Sequence, residues 1–437
     1  MTQNPATFRF YTLGCKVNQY ESQALTEQLL SRGFRQALGR ENCDFVFINT
    51  CAVTSESVRK VRQMTRRARS RYPGAHILLT GCACQMKDKQ IEALEEACYL
   101  CGTRNKTSLI EIACRLRDGD EHSFSRCCIT EPGGLIEPMH ITSFDRTRAY
   151  VKIQDGCSGK CAYCIIPTLR GPVCSKPRQE VVREVQGLIA TGCREIVLTG
   201  IETSAYEYDL ASLIEVLQDL DGLERIRLGS LDPSFMKPAF VDRIASLDKV
   251  APHFHLSLQS GSNSVLGRMR RRYRLETALS YVAYLRERMP NVQFSTDIIV
   301  GFPGETEEEF EETVSACRAL RLLHIHVFPY SRRPGTVAAD MDGQLSEQIK
   351  HDRAGRLIQA GEEIRGDILR HLIEEGRPLS VLAETEKEGI WSGHSAEFVE
   401  VCFPARDNIS KGDTVLVTPK EIKNGILLCN RAEKVGS

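Results

Sequence analysis

Six times between residues 148 and 328, a short run of β-branched or aromatic residues gives way to an apolar repeat of helical period. The runs are 148–153, 195–198, 225–228, 254–258, 294–299 and 325–328. Between them, sets such as Val181, Val182, Val185, Leu188 and Ile189, or Phe310, Val314, Cys317 and Leu320, fall on one helix face. Strands separated by helices pair in parallel, and a parallel sheet needs both faces covered. Six consecutive units of this kind predict a partial (β/α)6 barrel, whose reactive face lies at the carboxyl ends of its strands.

The first part of the chain alternates in the same way. Strands are predicted at 7–13, 44–49 and 76–80, and helices at 19–31, 55–71 and 87–97, which together read as a small doubly wound α/β domain. Residues 118–142 lack periodicity, carry the turn signal Pro132-Gly133-Gly134 and read as a linker. After a helical stretch at 346–375 the texture changes to short runs at 379–383, 398–403, 414–417 and 426–429, separated by Gly- and Lys-rich turns. This is the pattern of a compact closed β-barrel. The expected organisation is therefore 5–117, an amino-terminal α/β domain; 118–142, a linker; 143–373, the partial barrel; and 374–437, a small β-barrel. Three domains suit a chain of 437 residues.

A hydrophobic fraction of 42% and a charged fraction of 26% exclude a disordered, collagen-like or coiled-coil chain. Fifty-seven basic residues balance fifty-seven acidic ones, so any contact with nucleic acid must use local patches. The last module, from Glu374 onward, holds eleven acidic and eight basic residues, and fits RNA contact and a structural cap equally well. Two basic runs stand out: Arg59, Lys60, Arg62, Arg66, Arg67, Arg69 and Arg71 on one helix, and Arg268, Arg270, Arg271, Arg272 and Arg274 after the fourth barrel strand. The start of the chain shows no basic end followed by a long apolar stretch, and nowhere do ~18 apolar residues run together. The reading is a cytoplasmic protein with no membrane partner.

Eighteen cysteines are many for a chain in a reducing compartment, and point to metal chemistry before disulfides. The sharpest signal is Cys157-Ser-Gly-Lys-Cys161-Ala-Tyr163-Cys164, just after the first barrel strand. Three thiolates on a four-iron cube leave one iron open to a small chelating molecule, and the amino and carboxylate groups of S-adenosylmethionine can fill that position. An electron passed into the sulfonium would cleave a carbon–sulfur bond and release a 5′-deoxyadenosyl radical. The alternatives are a zinc site completed by a cysteine such as Cys174, or three buried cysteines without metal; zinc sites usually show two close ligand pairs, and no second pair lies nearby. The second signal is dispersed: Cys15, Cys51 and Cys82 each follow a predicted strand of the first domain. Strand ends share one edge of a parallel sheet, so the three can converge on a second cluster, or else fill tight turns beside Gly14 and Gly81. Cys98, Cys114, Cys193, Cys317, Cys402 and Cys429 read as small core hydrophobes, whereas Cys84, two residues from Cys82, is a candidate for sulfur relay or ligation.

The segments Thr12-Leu-Gly-Cys15-Lys-Val-Asn-Gln19, Ile48-Asn-Thr-Cys51 and Leu79-Thr-Gly-Cys82, together with the 157–164 triad, resemble the cluster motifs of the radical S-adenosylmethionine methylthiotransferases. His255-Leu-Ser-Leu-Gln-Ser-Gly-Ser262, Asp297-Ile-Ile-Val-Gly-Phe-Pro-Gly304 and His326-Val-Phe-Pro-Tyr-Ser331 are further matches, and the last module is similar to the TRAM domain, associated with tRNA contact. The run from Gly14 to Gln19 looks most like the branch acting on N6-threonylcarbamoyladenosine at position 37 of tRNA.

The resemblance implies two [4Fe-4S] clusters, on Cys157, Cys161 and Cys164 and on Cys15, Cys51 and Cys82. The first would reduce S-adenosylmethionine, so that the radical takes hydrogen from C2 of the modified adenine. The second would hold the sulfur delivered as a methylthio group. It also implies a tRNA partner and an electron donor such as flavodoxin or ferredoxin. Cofactor contacts are expected at barrel strand ends: Tyr163, Gly200, Glu202, Arg227, Ser230, Gln259 and Asp297. Relatives often carry an arginine where this chain has Cys174, a contact that Arg170 could supply. Competing readings are methylthiolation of isopentenyladenosine-37 or of a ribosomal-protein aspartate and, from another class, a non-catalytic zinc-dependent RNA-binding protein.

Overall fold

The computed structural model describes residues 5–86, 91, 98–120, 127–144, 146–406 and 408–434. Strands β1 (Thr7–Thr12), β2 (Arg35–Gln36), β3 (Phe45–Thr50), β4 (His76–Gly81), β5 (Tyr99–Cys101) and β6 (Cys127–Cys128) form one parallel sheet in the order β2-β1-β3-β4-β5-β6. All six residues of β3 are buried, as an uninterrupted apolar run in a central parallel strand requires. Helices Lys16–Ser31 and Ser55–Arg71 cover this sheet; the second begins at Thr54, whose side chain accepts from the Ser57 amide. The helix expected over 87–97 lies outside the described residues, apart from Ile91.

The stretch read as a linker is more structured than its composition suggests. Its Cys127–Cys128 pair adds the sixth strand to the sheet. Further on it is a strap pinned to both neighbouring domains. Glu137 accepts from the amide and hydroxyl of Thr107 at 2.8 Å, the Met139 carbonyl accepts from Tyr20 at 2.7 Å and from Lys176 at 2.8 Å, and Glu184 accepts from the Ile141 amide at 2.8 Å.

The barrel strands are β7 (Ala149–Lys152), β10 (Glu195–Thr199), β11 (Arg225–Leu228), β12 (His253–Gln259), β13 (Gln293–Val300) and β14 (His324–Pro329); a short antiparallel pair, β8 (Gln154–Asp155) and β9 (Cys174–Ser175), stands beside β7. They form two three-stranded parallel halves joined through single bridges, Ile226 to Val250 and Leu231 to Leu256. Phe254, Leu256 and Leu258 alternate outward into the shared core, while His253, His255, Ser257 and Gln259 face the lumen. Helix Glu347–Glu375 packs on β14 and ends at Gly376 in the left-handed region.

Strands β15 (Leu379–Lys387), β16 (Ile390–Ser395), β17 (Glu400–Pro404), β18 (Thr414–Lys423) and β19 (Ile426–Lys434) close into the small barrel. The sequence pattern does not announce β16, because Ser392, Gly393, His394 and Ser395 carry no strand signal; it forms because both its edges find partners. Phe398, expected in a strand, sits in a turn at φ 67° and plugs the amino-terminal mouth of the larger barrel, stacked on His253 at 4.8 Å and His394 at 4.7 Å.

Candidate metal centre and substrate cavity

The strand order of the first sheet reverses at β1, and Cys15, Cys51 and Cys82 follow β1, β3 and β4 at the same edge. Two glycines allow the turns to close. Gly14, at φ +106°, would place a Cβ 3.1 Å from the Cys51 sulfur, and Gly81, at φ +99°, would place one 2.5 Å from the Thr50 carbonyl oxygen. The Asn18 amide group clamps the turns together by donating to Leu13 O at 2.8 Å and Thr50 O at 2.9 Å. The three thiols come close enough that Cys82 and Cys15 both raise the pKa of Cys51, although burial is the larger cause. Desolvation by the surrounding protein likewise pushes Cys15 up, although the residue itself is exposed.

The loop 156–165 is fixed by backbone bonds from Cys157 N to Gly171 O at 3.0 Å, Ala162 N to Met269 O at 3.0 Å and Ala338 N to Ala162 O at 2.7 Å. The Cys157 thiol donates to Glu202 Oε2 at 2.9 Å and accepts from the Gly159 amide at 3.2 Å, while Arg271 donates to Cys161 Sγ at 3.4 Å. Burial raises Cys164 to about 11, with a smaller contribution from Cys82 of the other set. A cavity of about 220 Å³ lies over the triad, lined among others by Tyr163, Glu202, Ser230, Gln259, Arg270 and Arg272. A second, of about 200 Å³, shares Tyr163, Cys164 and Gln259 with the first and runs between Val53 and Thr54 on one side and Asp297 on the other. Gln259, at the junction, is held at φ 67° beside a register shift in β12, the kind of backbone strain that re-aims a side chain at a site.

Arg170 joins the two sets. It is fully buried on the short helix Ile166–Arg170 and donates to Cys82 Sγ at 3.3 Å, Asn18 Oδ1 at 2.7 Å, Glu21 at 3.0 Å and Asp155 at 3.0 Å. Lys106, Lys152 and Arg104 complete the group at 3.1, 2.8 and 3.9 Å from its carboxylates. Four cations thus surround two carboxylates in a buried volume, and hold both carboxyls well below the usual range. Buried cations in excess need a negative partner. Thiolates ligating an iron–sulfur cluster at the Cys82 edge would supply one, and each cysteine set already has a guanidinium N–H directed at a sulfur, from Arg170 to Cys82 and from Arg271 to Cys161. The residues therefore fit a cluster at each set.

Tyr163, Glu202, Ser230, Gln259 and Asp297 line the two cavities. Gly200 instead packs on Gln154, whose Oε1 would lie 2.6 Å from an added Cβ. Arg227 is a correction. It lies at the opposite mouth of the barrel, donating to Glu195 at 2.7 Å and to the carbonyls of Ser395 and Ala396 at 2.7 and 2.9 Å, because the small barrel docks there and Glu195 needs its charge. Arg148 and Arg225 share that glutamate at 2.5 and 2.7 Å. Cys174 receives a hydrogen bond from Arg104 at 2.6 Å, which supplies the basic contact there. Cys84 is sealed in the core against Thr50, its thiol pushed up to about 12 by burial, which suits packing and not relay. Of the basic runs, Arg66 and Arg67 are exposed on helix Ser55–Arg71 and Arg270 and Arg272 rim the triad cavity, whereas Arg268 and Arg271 are committed to Glu309 and Asp232 at 2.6 and 2.7 Å. Sequence reasoning missed Arg170 as the hub, Arg271 as a donor to Cys161, and the lumen pair His255 and Asp297, 3.2 Å apart.

A six-stranded parallel barrel with a C-x3-C-x2-C loop at its carboxyl mouth defines a radical S-adenosylmethionine enzyme, and the family model described as the radical SAM superfamily matches residues 151–317. Residues 7–102 match uncharacterized protein family UPF0004. The chain belongs to the radical S-adenosylmethionine tRNA methylthiotransferases. It is 35% identical over 92% of both chains to the threonylcarbamoyladenosine tRNA methylthiotransferase of Bacillus subtilis (strain 168), and 35% identical over 94% of both chains to that of Chlamydia pneumoniae. It is also 34% identical to the tRNA-2-methylthio-N(6)-dimethylallyladenosine synthase of Pelotomaculum thermopropionicum, over 87% of both chains. The solved radical S-adenosylmethionine methyltransferase TsrM of Kitasatospora setae, with cobalamin and a [4Fe-4S] cluster bound, shares the fold at a TM-score of 0.57 and 17% identity over 77% of each chain. An iron–sulfur cluster and S-adenosylmethionine are the cofactors of this class. Among the described residues, no helix is long and apolar enough to cross a membrane.

Proposed function

We propose that the chain methylthiolates C2 of N6-threonylcarbamoyladenosine at position 37 of tRNA, with one [4Fe-4S] cluster on Cys157, Cys161 and Cys164 and a second on Cys15, Cys51 and Cys82. The observation that carries this reading is Arg170, which from the helix that follows the first cysteine set donates to Cys82 of the second at 3.3 Å. Once bound, the clusters and S-adenosylmethionine supply the reducing electron, the hydrogen abstraction and the sulfur, the hard chemistry that protein side chains lack.

The protein's own residues position and enclose. Cys157 would hold iron as the thiolate, and Glu202, which now accepts from its thiol and lines the adjoining cavity, would then be free to accept from the cofactor's ammonium group. Tyr163, which lines both cavities, would pack on the adenine of S-adenosylmethionine, and Ser230 and Gln259 would bind its polar groups. Arg271 is fixed by Asp232 and directs an N–H at Cys161. Arg66, Arg67, Arg270 and Arg272 receive tRNA phosphates around the cavity mouth. Flavodoxin or ferredoxin is the donor class, and the enzyme works in the cytoplasm, where its tRNA is found. The small barrel, TRAM-like in its five strands, caps the far mouth and offers its outer face to tRNA. Nucleoside mass spectrometry of tRNA from cells lacking the protein tests the reading: the 2-methylthio derivative of threonylcarbamoyladenosine disappears. Its persistence, with loss of the isopentenyl derivative instead, would overturn the choice of substrate.

A further inference from the structure

Apart from the cysteine sets, one group of ligand-bearing side chains converges in the lumen of the large barrel. Asp297 and His326 are register partners on the parallel strands β13 and β14, so both side chains stand on the same face of the sheet at the same height. His255 reaches them from β12, the neighbouring strand, with its Nε2 3.2 Å from Asp297 Oδ2. Two imidazole nitrogens and a carboxylate oxygen, one from each residue, all lie within 4.8 Å of one another.

The ring of His255 is fixed from behind. Its Nδ1 is hydrogen-bonded with Ser295 Oγ at 2.9 Å, and the same Oγ lies 3.1 Å from His253 Nε2. A bond at one ring nitrogen aims the other at its target, which is how a metal-ligating histidine is oriented. The His326 ring centre stands 5.8 Å from that of His255, and the residue is exposed. Among the described residues, His255 is the one hydrogen-bond or ion-pair partner of the Asp297 carboxylate.

The charge of the group selects a cation. With both imidazoles neutral, as metal ligands must be, the three side chains carry one negative charge. The arginines of the barrel are spent at its other mouth, on Glu195, Glu384 and the carbonyls of Ser395 and Ala396, and Lys16 acts on Asp297 through space without an ion pair. Imidazole and carboxylate without thiolate suit a divalent ion such as zinc, manganese or iron(II), whereas the clusters take thiolates. Such an ion holds its ligand atoms about 3–3.5 Å apart. His255 and Asp297 already have that spacing, and the exposed His326 ring closes on them by turning about its side-chain bonds.

We propose that His255, Asp297 and His326 bind one divalent transition-metal ion at a site separate from both cysteine sets. Three protein ligands leave the remaining coordination positions open. Asp297 also lines the cavity of about 200 Å³ that reaches Tyr163 and Cys164, so those positions adjoin it and take water or an oxygen donor of whatever the cavity holds.

The test titrates Mn²⁺ into the anaerobically reconstituted holoenzyme, whose cysteines are then occupied and whose oxidised clusters are diamagnetic, and follows loss of the free-ion electron paramagnetic resonance signal. Wild type is compared with Asp297→Asn, His326→Leu and, as a control, His371→Leu, an exposed histidine on helix Glu347–Glu375. Wild type and the control bind one equivalent, and Asp297→Asn and His326→Leu raise the dissociation constant at least about tenfold with iron and sulfide content kept. Spin-echo modulation of the bound Mn²⁺ shows two imidazole nitrogens in the wild type and one in His326→Leu. The wild-type nitrogen coupling decides even where a variant loses its clusters. A free-ion signal undiminished by the wild type, equal affinity in all four proteins, or bound Mn²⁺ without nitrogen coupling overturns the site, and none of these results bears on which nucleoside is methylthiolated.

Discussion

Replacing Arg170 by methionine removes the guanidinium that joins the amino-terminal sheet edge to the radical domain while keeping a side chain of similar length. Five hydrogen bonds go with it, to Cys82, Asn18, Asp155 and both oxygens of Glu21. Removing one member of a buried ion pair costs roughly 3–5 kcal/mol. Lys106 and Lys152 remain on Glu21 at 3.1 and 2.8 Å, and Lys152 on Asp155 at 2.7 Å, so the low end applies, about 3 kcal/mol. That is roughly a hundredfold in an equilibrium constant. Hydrogen exchange of the metal-free protein reads it locally: amides of β3, β4 and helix Ile166–Arg170 open about a hundredfold more often, while those of the small barrel keep the wild-type rate. Arg170→Lys keeps the charge but loses the fork, and falls between. Exchange within twofold of wild type in the methionine variant would refute the idea that Arg170 couples the domains.

Three further outcomes follow from named interactions. Gly81→Ala, forced into the left-handed region against Thr50 O, destabilises the edge by more than about 1 kcal/mol and lowers iron at the amino-terminal set while the 157–164 set stays loaded, as metal analysis and visible spectra report. Charge reversal at Arg66 and Arg67 weakens tRNA binding and reduces the slope of log K against log salt by about 1 for each phosphate no longer neutralised; an unchanged slope removes that helix from the footprint. Burial holds His324 down at about 4, against an ordinary value near ~6.5, and holds His253 well below its ordinary value. Both are neutral where the small barrel docks, so the stability they contribute is complete above about pH 6.5 and is lost as pH falls toward 4. Protease release of the small barrel should rise across that window; a flat profile would show that docking does not depend on neutral rings.

The strands and the six cysteines were legible because their signals are local. A β-branched run announces a strand, and three thiols at three strand ends need only the rule that parallel strands share an edge. Residues whose partners are remote were not legible. Arg170 meets Glu21 and Asn18 about 150 positions away, and nothing in the run from Ile166 to Arg170 announces them. Arg227 was misplaced because alternation tells which residues face the lumen but not which mouth they serve. Arg225, two positions earlier, and Glu195 on the neighbouring strand were the available signal, since a lone buried carboxylate inside a barrel needs a cation. The strap at 137–143 lacks periodicity because it is held by side chains of Thr107, Tyr20, Lys176 and Glu184, not by its own pattern.

The decisive measurement is iron and sulfide content, with Mössbauer spectra, of anaerobically reconstituted wild type beside two triple variants, Cys15, Cys51 and Cys82 to Ala, and Cys157, Cys161 and Cys164 to Ala. Two cubane clusters in the wild type and one in each variant are predicted. One cluster in the wild type, unaffected by loss of Cys15, Cys51 and Cys82, would contradict a sulfur-donating centre at the amino-terminal edge.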